Sequence, residues 1–272
     1  MHNTFIAIIQ GIVEGLTEFL PVSSTGHLIL SGQLLGFTGD KADTFEIIIQ
    51  LGAILAVAII YWRRILGLLG LKTVETGEAV QSGQPKLNLL HVILACLPAM
   101  VLGLALHSVI KTYLFSPYTV LAGLVLGGGF MLLGQKKQTA VQAATIDQLS
   151  YKQAVSIGLF QCLSLWPGFS RSGATIAGGL LSGASYSAAT NFSFLIAIPM
   201  MIAASGFELL KSIHTLNASD AGFFLTGFIV AFVVAFLAVI TFLKLLERLK
   251  LAPFAYYRFV LAAVFLVYLL SQ

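Results

Sequence analysis

Six segments of this chain, near 44–62, 89–109, 117–134, 190–209, 221–243 and 254–270, are each long and apolar enough to cross a bilayer as a helix. No other property constrains the fold so tightly. A helix satisfies its own backbone donors and acceptors, which lipid cannot do. The alternative of alternating ten-residue strands of a membrane barrel is not the pattern here. Composition agrees: 58% of the 272 residues are hydrophobic and 10% charged, against about 25% charged in soluble domains. That shortage excludes a soluble enzyme, a nucleic-acid binder and a disordered chain. Cys96 and Cys162 both lie in apolar stretches, so neither a disulfide framework nor a zinc site is expected. The N-terminal stretch lacks a basic leader region and is interrupted by Glu14 and Glu18, so it reads as part of the fold.

Basic residues orient the spans. Arg63, Arg64, Lys72, Lys86, Lys136, Lys137, Lys152, Lys244, Arg248 and Lys250 fall in three alternate loops, ten of the chain's 15. The intervening loops carry only Lys111 and Lys211. The positive-inside rule puts the first set in the cytoplasm and the second outside.

Two further regions, about 1–35 and 153–185, are apolar but broken by Pro, Gly and Ser. Backbone that leaves the helix at membrane depth must be shielded by protein or line a cavity. Paired interruptions in two halves of a chain mark a binding site at a repeat interface. The two regions correspond: GIVEGLTEFLPVSSTG from Gly11 and GLFQCLSLWPGFSRSG from Gly158 align at a constant offset of 147. Ser23 falls on Ser170, Thr25 on Ser172, and Glu14 on Gln161. Each half holds one broken segment and three spans. Three is odd, so the halves enter from opposite sides. The expectation is an all-α integral membrane protein of six transmembrane helices and two broken, re-entrant segments. These form one polytopic domain over 1–272, an inverted-topology repeat of about 1–135 and 148–272.

Charge within the broken segments is costly and calls for a function. Glu14 and Glu18 are spaced i, i+4, one turn apart on one helical face. Two such carboxylates repel unless a cation or proton lies between them, and oxygen ligands suit Mg²⁺ or Ca²⁺. The bland reading is a pair compensated by Arg171 alone. The adjoining loop offers Ser23, Ser24, Thr25, Gly26 and His27; the second loop offers Ser170, Arg171, Ser172, Gly173 and Thr175. Hydroxyls, free N–H groups and a guanidinium fork are what a phosphate requires. A plain helix cap is the competing reading of either serine-rich turn.

His27 follows Ser24 by three residues, a spacing that allows a Ser–His hydrogen bond. It could instead protonate a leaving oxygen, or be a satisfied membrane histidine. Glu46 and Gln50 read either as support for the site and its cavity wall or as interfacial polarity, and Glu208 as interfacial. His2, His91, His107 and His214 lie at a terminus, near span ends or in a loop. Gly127, Gly128 and Gly129 read as close helix packing.

EGLTEFLPVSSTGH (Glu14 to His27) and PGFSRSGAT (Pro167 to Thr175) resemble the two signature stretches of the undecaprenyl-diphosphate phosphatases, the bacterial bacitracin-resistance family. The resemblance runs on through YRF near Tyr257. It implies a metal-dependent hydrolase of the bacterial inner membrane that removes the terminal phosphate of undecaprenyl diphosphate and regenerates a lipid carrier for peptidoglycan synthesis. On that resemblance Glu14 and Glu18 hold Mg²⁺ or Ca²⁺, Ser24 is the candidate nucleophile, His27 the base or acid, and Arg171 binds phosphate. The site would open toward the periplasm. Implied partners are the diphosphate lipid and membrane lipid, not nucleic acid; a homodimer stays open. The rival reading is a secondary transporter or flippase for phosphorylated polyprenyl lipids. Against it stands the asymmetry of the halves, where Gln161 and Leu165 replace Glu14 and Glu18.

Overall fold

A computed structural model describes residues 2–71, 87–212 and 220–271, with side chains omitted at 2, 3, 212 and 245–248. Lys72, Lys86 and His214, and the side chains of His2 and Arg248, therefore lie outside the described residues. Every regular element among those residues is helical, and the only strand-like pairing is an isolated bridge between Ala143 and Ala184.

The chain runs α1 (His2–Thr17), α2 (Ser24–Leu34), α3 (Asp40–Ile60), α4 (Trp62–Leu68), α5 (Leu89–Ala105), α6 (His107–Val109), α7 (Pro117–Lys136), α8 (Tyr151–Gln161), α9 (Arg171–Leu181), α10 (Tyr186–Ser212), α11 (Ala221–Leu249) and α12 (Ala252–Leu270). Of these, α3, α7, α10, α11 and α12 contain stretches long and apolar enough to cross a membrane. The sixth expected span is bent: α5 and the segment His107–Leu114 meet at 67°, with a π-helical turn over Ile110–Leu114. Hydropathy alone reads 89–109 as one straight helix because the apolar run continues through the bend. Pro98 lies well inside α5 and does not mark it.

Helix starts follow local chemistry. Ser116 caps α7 by accepting from the Thr119 N–H, with Pro117 in the first turn, where a missing N–H costs nothing. Ser150 with Gln153 forms the same reciprocal box at α8. Asn88 with His91 does so at α5, which gives His91 a capping role.

Close approach is set by glycine. A Cβ on Gly11 of α1 would lie 2.8 Å from the Gly227 carbonyl of α11, and one on Gly158 of α8 2.5 Å from the Ala95 carbonyl of α5. These two glycines are partners in the 147-residue offset, and each lets its broken segment lie against a long helix. The glycine run on α7 packs as expected at Gly127, against the Phe169 carbonyl and Arg258, and at Gly128, against Phe259. A Cβ on Gly129 would meet nothing within 4 Å among the described residues, so it does not share that role. Large apolar side chains on α11 and α12, among them Leu237, Val260, Val264 and Val267, are exposed on the outer surface, as suits lipid rather than water. Cys96 and Cys162 are both free.

Candidate active site

Both broken segments leave the helix in the same way. α1 stops at Thr17 and α2 starts at Ser24; α8 stops at Gln161, a short 3₁₀ turn follows over Cys162–Leu165, and α9 starts at Arg171. The eleven-residue helices α2 and α9 begin and end at the same offset of 147. Immediately before each stands a serine with φ of 74°, Ser23 and Ser170. Left-handed backbone disfavours a residue with a Cβ by about 1–2 kcal/mol, and such strain collects at functional sites. Each serine also caps: the Ser23 hydroxyl accepts from the Gly26 N–H at 3.4 Å, and Ser170 from the Gly173 N–H at 3.2 Å. The capping reading is therefore correct for these two hydroxyls.

The residues after the caps differ, and together they build one site. The Ser24 hydroxyl donates to Glu18 Oε2 at 2.5 Å. Arg171 Nη2 donates to Glu18 Oε1 at 3.3 Å and Nη1 to the Ser193 carbonyl at 3.2 Å, while its guanidinium sits 5.5 Å from the Phe19 ring centroid. Glu18 thus has one oxygen toward each half of the chain. Glu14 is fully buried one turn earlier, and neither of its carboxylate oxygens has a hydrogen-bond partner among the described residues. It lies within the electrostatic reach of Glu18, Glu46 and Arg171. A buried carboxylate left with two orphan oxygens beside a second carboxylate has the donor chemistry that a hard divalent cation takes. Among the described residues no third His, Cys, Asp or Glu joins them, so further ligands would be hydroxyl, water or phosphate oxygens.

The Ser–His pair expected from the i, i+3 spacing does not form. His27 Nδ1 bonds the Ser23 carbonyl at 2.7 Å and Nε2 bonds the Tyr257 hydroxyl at 2.8 Å. Ser24 is the first residue of α2 and turns back across the break to Glu18, whereas His27 faces α12. A carbonyl only accepts, so the Nδ1 of neutral His27 carries the proton and Nε2 accepts from Tyr257.

The other expected ligands divide into site and scaffold. Thr25 is half-buried in the first turn of α2, behind which Gly26 packs on Leu124. The Ser172 hydroxyl donates to the Leu20 carbonyl at 3.1 Å, which joins the second break to the first. Thr175 bonds the Arg171 carbonyl at 2.9 Å and the Ser193 hydroxyl at 2.6 Å. Both hydroxyls hold the protein together around Arg171. Gln50 accepts from Ser205 at 2.7 Å, a bond between α3 and α10. Glu208 is held by His107 at 2.6 Å and Lys111 at 2.9 Å, away from the breaks.

Sequence reasoning missed Tyr257, Arg258 and Ser193. Arg258 is fully buried in α12 and donates to the carbonyls of Leu124, Gly123 and Gly168 at 3.1, 3.1 and 2.6 Å. The rule that singled out Arg171 applies to it equally, because it stands inside an apolar span. It lies near the start of that span and outside both broken segments, where attention to charge was concentrated. Ser193 carried no signal, since its part is played by a backbone carbonyl and a hydroxyl facing Thr175.

The model of the family described as bacitracin resistance protein BacA matches residues 7–264. An undecaprenyl-diphosphatase 1 of Bacillus thuringiensis (strain Al Hakam) is 55% identical over 270 residues, 99% of this chain and 100% of the relative. Proteins of the same name from Bacillus cereus and Bacillus anthracis are 54% and 55% identical, again over 99% of this chain and 100% of each relative. With its membrane helices, its paired breaks and a match over nearly its whole length, the chain belongs to the bacitracin resistance protein BacA family.

Proposed function

We propose that this protein is an undecaprenyl-diphosphate phosphatase, hydrolysing the terminal phosphate of undecaprenyl diphosphate to give undecaprenyl phosphate and inorganic phosphate. The lipid carrier so recycled serves peptidoglycan synthesis, and its turnover opposes bacitracin. The observation that carries the reading is the 2.5 Å bond from Ser24 to Glu18 with Arg171 on the same carboxylate. That is a hydroxyl, a base to take its proton, and a cation for the phosphoryl group, held within one buried cluster.

In this mechanism Ser24 Oγ attacks the distal phosphorus in line with the bridging oxygen. Glu18 Oε2 takes the hydroxyl proton, and undecaprenyl phosphate leaves with the bridging oxygen. Glu18 gives that proton up to the departing phosphate; it then takes a proton from the water that opens the phosphoserine, and returns it to Ser24 Oγ as inorganic phosphate leaves. Phosphoryl transfer asks chiefly for positioning and charge stabilisation, which Arg171 supplies to the equatorial oxygens. Glu14 and Glu18 would hold a divalent cation, Mg²⁺ or Ca²⁺, whose chemistry is to neutralise phosphate charge. His27, with both ring nitrogens engaged, holds the Ser23 turn in place. Glu46 is a further carboxylate within electrostatic reach of Glu14, and its repulsion is one that a bound cation would relieve; Thr25, half-buried beside Ser24, would border the phosphate site.

The loop distribution of basic residues supports a first break that enters from outside, which allows a pocket open to the periplasm; the family membership supports a bacterial inner-membrane location. It equally supports an inverted arrangement of the halves about 1–135 and 148–272. The transporter reading gains nothing from a catalytic pair present on one half alone.

The test is inorganic phosphate release from undecaprenyl diphosphate by detergent-purified protein, with acid-stable phosphoserine trapping at Ser24. Release in the wild type and its loss in Ser24→Ala are expected; full activity in Ser24→Ala would overturn the nucleophile, and no release under any metal condition would overturn the activity.

A further inference from the structure

Tyr257 and Arg258 are neighbours on α12, and each reaches a different break. Tyr257 bonds His27 Nε2 at 2.8 Å, and His27 Nδ1 bonds the carbonyl of Ser23, the residue next to Ser24. Arg258 Nη2 bonds the carbonyl of Gly168 at 2.6 Å, two residues before Ser170 and three before Arg171. Its remaining bonds go to α7, at Gly123 and Leu124. Among the described residues its hydrogen-bond partners are three neutral carbonyls and the Met131 sulfur, with no carboxylate. A buried guanidinium without a counter-ion is an expensive way to fill space. As a planar fork it can bind several carbonyls at once, which an ammonium cannot.

The strained serines explain why such a brace is needed. Ser23 and Ser170, each with φ of 74°, would relax if nothing over-determined them. Relaxation would move Ser24 and Arg171, whose bonds to Glu18 cross between the breaks. Displacements of about 1 Å at such contacts cost about a hundredfold in rate.

We propose that Tyr257 and Arg258 are positioning residues that set the register of the two breaks, Tyr257 through His27 and Ser23, and Arg258 through Gly168. The proposal rests on the phosphatase reading for its kinetic arm and is independent of it for its spectroscopic arm. Tyr257 is 47% exposed, so Tyr257→Phe removes one hydroxyl without opening the core.

The kinetic arm uses steady-state phosphate release. Tyr257→Phe lowers kcat about five- to tenfold with KM within about twofold, the scale of one hydrogen bond. Arg258→Lys, which keeps the charge and loses the fork, lowers kcat about a hundredfold. The spectroscopic arm follows the ¹⁵N-histidine resonances of detergent-solubilised protein, with His27 assigned through His27→Gln. His27 is the Nδ1–H tautomer in the wild type, and Tyr257→Phe shifts its Nε2 signal. An unshifted His27 signal, an unchanged kcat, or a KM rise at constant kcat in Tyr257→Phe would overturn the brace. If wild-type protein releases no phosphate, the phosphatase reading fails while the His27 signal still decides the brace.

Discussion

The two breaks have one backbone and two chemistries. At matched positions 147 residues apart, Glu14 faces Gln161, Glu18 faces Leu165, Ser24 faces Arg171 and His27 faces Ala174, while Ser23 and Ser170 have the same φ of 74°. The first break carries the two carboxylates and the Ser24 hydroxyl, and the second the guanidinium. One backbone course thus recurs at two places, and the side chains set on it divide the charged groups between them. Their difference is what makes a single site, because Glu18 bonds a residue from each half.

Substitutions that erase the difference should hurt most. Glu18→Gln removes the proposed base for Ser24 and the charged partner of Arg171 together, and we expect kcat to fall by about 10³- to 10⁴-fold in phosphate-release assays. Arg171→Lys keeps a cation at the second break but not its fork; a loss of about a hundredfold in kcat/KM is expected. Glu14→Gln makes the first break resemble the second, where Gln161 is likewise buried with an unpartnered Oε1. It should abolish the response of turnover to added Mg²⁺ or Ca²⁺, and excess chelator should reduce wild-type turnover but leave this variant's residual rate unchanged.

Substitutions at the shared positions sharpen the comparison from the other side. Ser170→Ala loses the cap and keeps the strained φ, so it should destabilise by about 1 kcal/mol in a thermal or denaturant assay in detergent. Ser170→Gly relieves the strain as it loses the cap and should be nearly neutral. Ser23→Gly should be equally neutral in stability; a large stability difference between the two glycine variants would mean that the breaks are not mechanically equivalent.

How far the sequence carried depended on whether a feature was written locally. Apolar runs located the spans, and a constant offset of 147 paired α2 with α9 to the residue. Glu14, Glu18 and Arg171 were legible because charge is rare in the apolar segments around them. The Ser24–His27 pair was misread because spacing on a continuous helix was assumed where α2 has only just begun and Ser24 points back over the turn. Tyr257 and Arg258 act on residues up to 230 positions away, a separation over which local pattern is silent. The bend after Ala105 leaves hydropathy unchanged and so left no trace either.

The length of the half-helices has a further consequence. Eleven residues of helix, as in α2 and α9, measure about 16 Å, roughly half of a hydrocarbon layer about 30 Å thick. A lipid whose headgroup rides at the surface must sink by something like that depth to meet residues at the breaks. One flexible isoprenoid tail can buckle to allow the dive, whereas a pair of ordered acyl chains would be driven toward the opposite leaflet. On the proposed phosphatase reading, with the half-helices set along the membrane normal, depth would act as a filter on the tail, sorting lipids by how easily they can be submerged before any phosphate is recognised.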